Sequence, residues 1–376
     1  MTNKKRLVKL IQDLIRIDSQ NPPGNEAKIA GFLRDYLHKI GLKVKLVEFK
    51  KGRTNVIGLL NGGAGHSLLL TPHLDTVPAG KNWRFPPFAG RVYKNKIYGL
   101  GATDCKGNLA CALEAINCLV EQKIKLDYNL IFAATADEES GSTHGLIPLL
   151  NKGILRPDAA IVLDADDFEI IVAQKGLLHF KLKIIGKRAH GAYPWLGANA
   201  ISMAAAIIEG LRNKKYAFRK NKYLHPPTLN IGTIKGGDKV NVVADWCEIE
   251  MDHRFLPGSR AKDFLKEVKK IAAKFTRKFS IEVDGIQAPY QIKEAHPLVK
   301  YLKQAADKFR ASPKVRGSEG ATVITFFQDK KIPAVATGFG CGGCAHTINE
   351  HAKIDNLYKG ARVLEEFLKI YQPVNN

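Results

Sequence analysis

No apolar run in this chain reaches the length of a membrane span, so a membrane-embedded protein is not expected. Cysteine is sparse. The six present, at 105, 111, 118, 247, 341 and 344, show no framework spacing, which argues against a disulfide scaffold and for reduced thiols in a cytoplasmic enzyme. Internal repeats and low-complexity tracts are missing too, which excludes a solenoid or a tethered linker architecture. Acidic residues are outnumbered, 36 Asp and Glu against 58 Lys and Arg, for a formal net charge of +22. A nucleic-acid partner would be expected from that excess if a recognition motif or aromatic-basic interleaving came with it, and neither does. The basic residues are spread, as in Lys269-Lys270 and Lys330-Lys331, so a solvated basic surface is expected, with steering of an anionic substrate as the alternative. The basic opening Met1-Thr2-Asn3-Lys4-Lys5-Arg6 is like the start of a signal peptide. The next ten residues are unlike one: Leu7, Leu10, Ile11, Leu14 and Ile15 recur at helical spacing, with polar residues between them.

The residues that are present read as two domains. A chain of 376 residues exceeds one small core, and 45% hydrophobic with 25% charged content is ordinary for a globular protein. Helices are expected over 3–17 and from residue 29 to Gly41, a good C-cap. Strands are expected near 43–49, 54–60, 67–72, 128–135 and 159–163, with a helix over 109–120 between them. Mixed helices and buried apolar strands indicate an α/β sheet covered on both faces. From Gly176 the pattern becomes β-α-β-β-α-β, with strands at 178–185, 228–234, 244–251 and 280–283. Its helices span 200–211, capped by Asn199, and 260–275, opened by Ser259. That order is the split-βαβ pattern of a two-layer domain. The chain then returns to a helix over 297–309, a strand over 333–338 and a helix over 354–371. The parse is one α/β domain, 1–175 and 287–376, interrupted by an inserted α+β (ferredoxin-like) domain over 176–286.

The chemistry gathers at strand ends. His73-Leu74-Asp75 closes the apolar run 67–72, where a histidine can ligate a metal while a carboxylate two residues on steadies it. Four more sites lie downstream: Asp104, Glu138-Glu139, Asp164 and His346. In an open α/β sheet such residues converge at the carboxyl ends of the strands. Two histidines with carboxylates and no cysteine suit Zn²⁺, Co²⁺ or Mn²⁺. Five ligands, His73, Asp104, Glu139, Asp164 and His346, exceed one tetrahedral ion and fit two, bridged by a carboxylate at the ~3.5–4 Å separation of two-metal hydrolases. Glu138 is then spare and suited to be a general base.

On these residues the chain resembles the metallopeptidase and amidohydrolase family of acetylornithine deacetylase, succinyl-diaminopimelate desuccinylase, glutamate carboxypeptidase and aminoacylase. The motifs are Asn21-Pro22-Pro23-Gly24-Asn25-Glu26, His73-Leu74-Asp75-Thr76-Val77-Pro78, 99–107, Ala136-Asp137-Glu138-Glu139 and 346–350. The resemblance implies a zinc-peptidase catalytic domain with an inserted dimerisation and lid domain. It implies that His73, Asp104 and Asp164 hold one zinc and that Asp104, Glu139 and His346 hold the other. Glu138 becomes the general base and Asp75 the support of His73. In the inserted domain it implies that His190 stabilises the oxyanion in the partner subunit's site, that Asn241 lies near substrate, and that Arg254 clamps a substrate carboxylate. A homodimer is implied in the same way. Asp164 stands where the deacetylase and desuccinylase branches usually carry Glu-Pro, so Asp166 stays open as a competitor. A succinyl-binding arginine is missing near Ser318. The activity implied is removal of an acetyl or succinyl group from an N-acyl amino acid. An exopeptidase of the same family, a hydrolase acting on an acidic carrier protein and a non-catalytic binding protein are the alternatives. His144, His253 and His351 match no implied role, and Cys341-Gly342-Gly343-Cys344, which resembles a zinc knuckle or redox pair but has no second cysteine pair, is given a structural or incidental one.

Overall fold

The computed structural model describes residues 1–63 and 65–373. The chain divides into two compact units, Met1–Val172 with Ile292–Arg316 and Phe326–Asn376, and Ala173–Gln291 with Gly317–Thr325.

The first unit is built on a mixed sheet. Helix Lys4–Arg16 precedes it, with Leu7, Leu10, Ile11, Leu14 and Ile15 buried along one face and Asn3 capping it by accepting from the Arg6 amide. Each of those side chains contributes ~1.5–3 kcal/mol on burial. Helix Ala27–Lys39 stops ahead of Gly41, whose φ of +89° allows the Leu42 amide to reach back to the Leu37 carbonyl. Across the sheet the strands run Lys43–Glu48, Thr54–Leu60, Asn129–Ala134, Ser67–Thr71, Ala159–Val162, Ala334–Thr337 and Glu169–Gln174. The middle four, from Asn129–Ala134 to Ala334–Thr337, are mutually parallel. Leu68, Leu69 and Leu70 are all fully buried, which is why this strand reads as a continuous apolar run. Helices Lys106–Glu121 and Ile354–Ile370 pack together, and Pro297–Lys308 packs on the latter.

Two features go beyond the sequence pattern. Strand Glu169–Gln174 joins the sheet, and a hairpin of Arg91–Tyr93 and Lys96–Tyr98 is extended by His351–Lys353 into a small antiparallel sheet. The hairpin strands have three residues each, and the Lys94-Asn95 turn has positive φ at both positions without the usual Asn-Gly signature.

The second unit carries an antiparallel sheet in the order Thr228–Gly236, Trp246–Phe255, Gly176–Ile185, Phe279–Gln287. Leu178, Phe180, Leu182 and Ile184 alternate inward on the third of these strands, onto a core completed by helices Ala200–Asn213 and Ala261–Ala272. Asn199 caps the first helix by accepting from the Ile201 and Ser202 amides. Ser259 does not cap the second. Arg260 holds that position and pairs with Asp263 in the first turn instead.

Candidate metal centre

The parallel strands of the first unit end together, and the expected ligands lie directly after them. His73 lies just beyond Ser67–Thr71, Glu138 and Glu139 beyond Asn129–Ala134, Asp164 beyond Ala159–Val162, and His346 in the segment after Ala334–Thr337. Asp104 comes from the turn before helix Lys106–Glu121 and sits at the centre. One of its oxygens is 2.8 Å from His73 Nε2 and the other 3.1 Å from His346 Nε2. His346 Nε2 is also 3.1 Å from a Glu139 oxygen. Ligand atoms of Asp104, Glu139 and His346 form one compact group, and those of His73, Asp104 and Cys105 another.

The tautomer of His73 tests whether a cation fits. Its Nδ1 lies 2.9 Å from the Asp75 backbone carbonyl, which can only accept, so Nδ1 carries a hydrogen. In the neutral ring Nε2 is then an acceptor facing a carboxylate oxygen at 2.8 Å. Two acceptors at that distance need a proton or a metal ion between them. The protein without metal uses the proton. Burial opposes the imidazolium, but Cys105, Asp104 and Asp75 outweigh it and carry His73 well above its ordinary pKa. At His346 the hydrogen bond to Asp104 dominates and lifts the ring to about 9. Asp104 would be raised by its burial, yet the bonds from His346 and His73 pull it below the usual carboxylate range. The N/O donor set fits two hard or borderline divalent ions.

Asp75 differs in detail from its expected role. Its backbone carbonyl, rather than its carboxylate at 3.7 Å, is the nearer partner of His73 Nδ1. The carboxylate accepts from the Glu138 and Glu139 amides, each at 3.1 Å, and from Asn21 Nδ2 at 2.8 Å. It therefore orients the turn that carries Glu138 and Glu139. Glu138 is pushed up to about 8, first by burial and then by the charge of Asp164, and it belongs to neither ligand group among the described residues. Asp164 is pushed up to about 6 by burial and by Asp104, and it lies within electrostatic reach of both His73 and His346. Asp166 is pushed up to about 7 by burial, and the further charges acting on it are Asp104, Asp167, Asp164 and Glu169. Of the two, Asp164 has the histidine neighbours.

Residues that pattern reading left without a role hold this site in place. Buried Glu350 accepts from the amides of Gly101, Thr103 and Asp104, fixing the turn that presents Asp104. Buried Arg53 forks onto Glu26 at 2.8 and 2.7 Å and reaches Asp137 at 2.9 Å, immediately before Glu138. Cys105, buried as expected, also accepts from the His73 amide. Glu26 and Glu350 both fall inside the matched motifs, which is the signal that could have found them.

The remaining candidates belong to the second unit. His190 is exposed, its loop is tied to the Asn241 loop by a 2.8 Å bond from the Gly191 amide to the Asn241 carbonyl, and its Nδ1 accepts from the Ala192 amide. Arg254 forks onto Asp252 at 2.8 and 3.0 Å. His253 is buried against Phe264, with ring centroids 3.6 Å apart, and bonds to the Thr228 carbonyl.

A parallel-centred sheet with carboxylates and histidines at its strand ends defines a metallohydrolase. The model of peptidase family M20/M25/M40 matches residues 69–370, and the chain belongs to that family. It is a hydrolase of the class that cleaves amide bonds. Among its relatives, succinyl-diaminopimelate desuccinylase of Orientia tsutsugamushi (strain Ikeda) is 28% identical over 100% of this chain and 99% of its own length. Acetylornithine deacetylase of Proteus mirabilis (strain HI4320) is 32% identical over 77% of this chain and 78% of its own. Among solved structures, a tripeptidase from Staphylococcus aureus has a TM-score of 0.81 and 28% identity, covering 99% of both chains. No helix among the described residues is long and apolar enough to cross a membrane.

Proposed function

We propose that this protein is a two-metal amidohydrolase that removes an acetyl- or succinyl-type acyl group from an N-acyl amino acid. The observation that carries the reading is Asp104, with one oxygen on each of two histidines, and the half-buried Glu138 adjoining Glu139 in the same turn. Asp104 would be shared, with His73 and Asp164 completing one site and Glu139 and His346 the other. Two divalent ions held by these residues, zinc in the first instance, would supply acidification of the attacking water and polarisation of the scissile carbonyl. Glu138, raised in the metal-free protein by burial and then by Asp164, becomes the carboxylate base beside bound cations, accepts the proton of the attacking water and returns it to the departing amine. Asp75 keeps that carboxylate aimed through the Glu138 and Glu139 amides. Arg254 would leave Asp252 to clamp the substrate carboxylate, with Asn241 beside it.

The chain acts as a homodimer through the inserted domain, 176–286, and His190 donates to the oxyanion in the partner subunit's site. Tyr193, Trp195, Leu196 and Val240 favour this pairing, because they are large apolar side chains exposed near His190 and Asn241. The six free cysteines suit the cytoplasm. The names of the desuccinylase and deacetylase relatives support the acyl substrate. The tripeptidase neighbour at 28% identity supports a second reading, an exopeptidase.

Turnover of the zinc- or cobalt-loaded protein on N-acetyl and N-succinyl amino acids and on di- and tripeptides, with a chelated control, separates these. Chelator-sensitive release of acetate or succinate is the expected result. Cleavage of peptides alone assigns the exopeptidase. Silence on the panel with metal bound removes both, leaving a carrier-protein substrate suited to the +22 charge, or a binding role.

A further inference from the structure

The segment that presents His346 also carries a second, chemically different donor cluster. Cys341, Cys344 and His351 bring their ligand atoms within 4.8 Å of one another. His351 Nε2 lies 3.8 Å from Cys344 Sγ and 4.0 Å from Cys341 Sγ. In a tetrahedral site, metal–sulfur and metal–nitrogen bonds of zinc length place such atoms about 3.6 Å apart. Two edges of that tetrahedron are therefore close to what zinc requires, the sulfur–sulfur edge lies within 4.8 Å, and rotation about the cysteine Cα–Cβ bonds closes the remainder.

The orientation of the imidazole is a second, independent observation. His351 Nδ1 is 3.0 Å from the Asn349 carbonyl, so Nδ1 carries the hydrogen. Nε2 is left with its lone pair, which accepts from Lys96 Nζ at 3.0 Å and is the ring nitrogen nearer to Cys344 Sγ. The Nδ1–H is held by a backbone carbonyl, which leaves Nε2 as the nitrogen able to ligate, the usual tautomer of a metal-ligating histidine. A cation bound at Nε2 would displace the Lys96 ammonium.

The surroundings are built rather than incidental. Gly343, at φ +76°, allows the tight turn in which the Cys344 amide bonds to the Cys341 carbonyl. The Cys341 amide donates to Thr103 Oγ1, which in turn donates to the His351 carbonyl. Strand pairing sets His351 opposite Tyr98, whose ring flanks the imidazole at 5.0 Å.

We propose that Cys341, Cys344 and His351 form a third metal site, thiolate-rich and taking a thiophilic divalent cation such as Zn²⁺, which clasps the loop that presents His346. Binding forms two metal–sulfur bonds and one metal–nitrogen bond, releases the two thiol protons to solvent, and leaves a fourth position for water. The soft donor pair separates this site from the N/O set around Asp104. It stands independently of the reaction proposed above.

The test uses the full-length, reduced, chelator-stripped protein reloaded with Co²⁺ and freed of excess metal. Three equivalents per chain are expected, with near-ultraviolet thiolate-to-cobalt charge-transfer absorption. The C341S/C344S double variant should hold two equivalents and lose that absorption, and C105S should keep it. H351N, which leaves both cysteines in place, should weaken third-ion affinity at least tenfold, and Lys96→Ala should strengthen it. Two equivalents in the wild type without the charge-transfer band would overturn the proposal. So would a band that survives in the folded double variant and disappears in C105S. A Cys341–Cys344 disulfide re-forming under reducing conditions, read as the loss of two hydrogens by mass, would also sink it.

Discussion

His73 and His346 face opposite oxygens of one carboxylate, yet they are held in different ways. His73 is 3% exposed, and both of its ring nitrogens are engaged, one by the Asp75 carbonyl and the other by Asp104. His346 is 53% exposed, and its contacts are to Asp104 and Glu139, the two carboxylates that share its prospective metal. One half of the centre is organised by the fold before any ion arrives. The other is carried on a loop and stands half exposed, held at its ring, among the described residues, by the two carboxylates alone. The difference teaches that a dinuclear centre need not be equally prepared on both sides, and that its two ions should bind unequally.

The largest expected effect probes Glu138, the proposed base. Glu138→Ala should lower turnover by roughly 10²–10⁴-fold while both catalytic metal equivalents remain. Loss of an ion from that variant, read by elemental analysis, would mean that Glu138 and Glu139 have exchanged roles. Next comes the support beneath it. Arg53→Met leaves Glu26 and Asp137 buried without their cation and should cost about 3–5 kcal/mol in denaturant unfolding of the chelated protein. An unchanged midpoint would show that the buried network is dispensable. Glu350→Gln removes the carboxylate that organises Asp104, the ligand common to both halves. It should weaken both ions by roughly 10–100-fold, and unequal weakening would break the symmetry assumed for Asp104.

The smallest effect is a slope. Without metal, His346 keeps its proton up to about 9 because Asp104 stabilises the imidazolium, so an entering ion must expel that proton. Affinity on this side should rise about tenfold per pH unit through neutrality and level off near His346's own pKa. His73 is raised as well, so affinity on its side should also rise with pH through neutrality. Competition with a chromogenic chelator across pH reads both, and affinity that falls with pH would contradict the assignment.

Much of this was legible in the chain because the chemistry is local to strand ends. Apolar runs such as Leu68-Leu69-Leu70 announce buried strands, and the polar residue just past each one announces the site. Counting ligands leaves one of the adjacent Glu138 and Glu139 spare, and the Glu138→Ala variant tests which. The supporting layer was not legible, because its partners are remote in sequence. Arg53 meets Glu26 and Asp137, and Glu350 meets amides some 250 positions earlier, so no periodicity couples them. A backbone amide as donor leaves no trace in residue type at all. The short hairpin of Arg91–Tyr93 and Lys96–Tyr98 escaped for a related reason. Three-residue strands are too brief to show alternation, and this hairpin sets Tyr98 against His351. The inward alternation of Gly176–Ile185 is long enough to read directly.

Asp75 divides its duties between two parts of the same residue. Its main-chain carbonyl orients a ligand, and its side chain holds the amides of the neighbouring acidic turn. A substitution at this codon retains the main-chain carbonyl, removes the carboxylate from the acidic turn, and withdraws its charge from the His73 ring. Position 75 is therefore a separation-of-function locus: a mutant allele there disorders the acidic turn while the His73 ring stays hooked to the backbone.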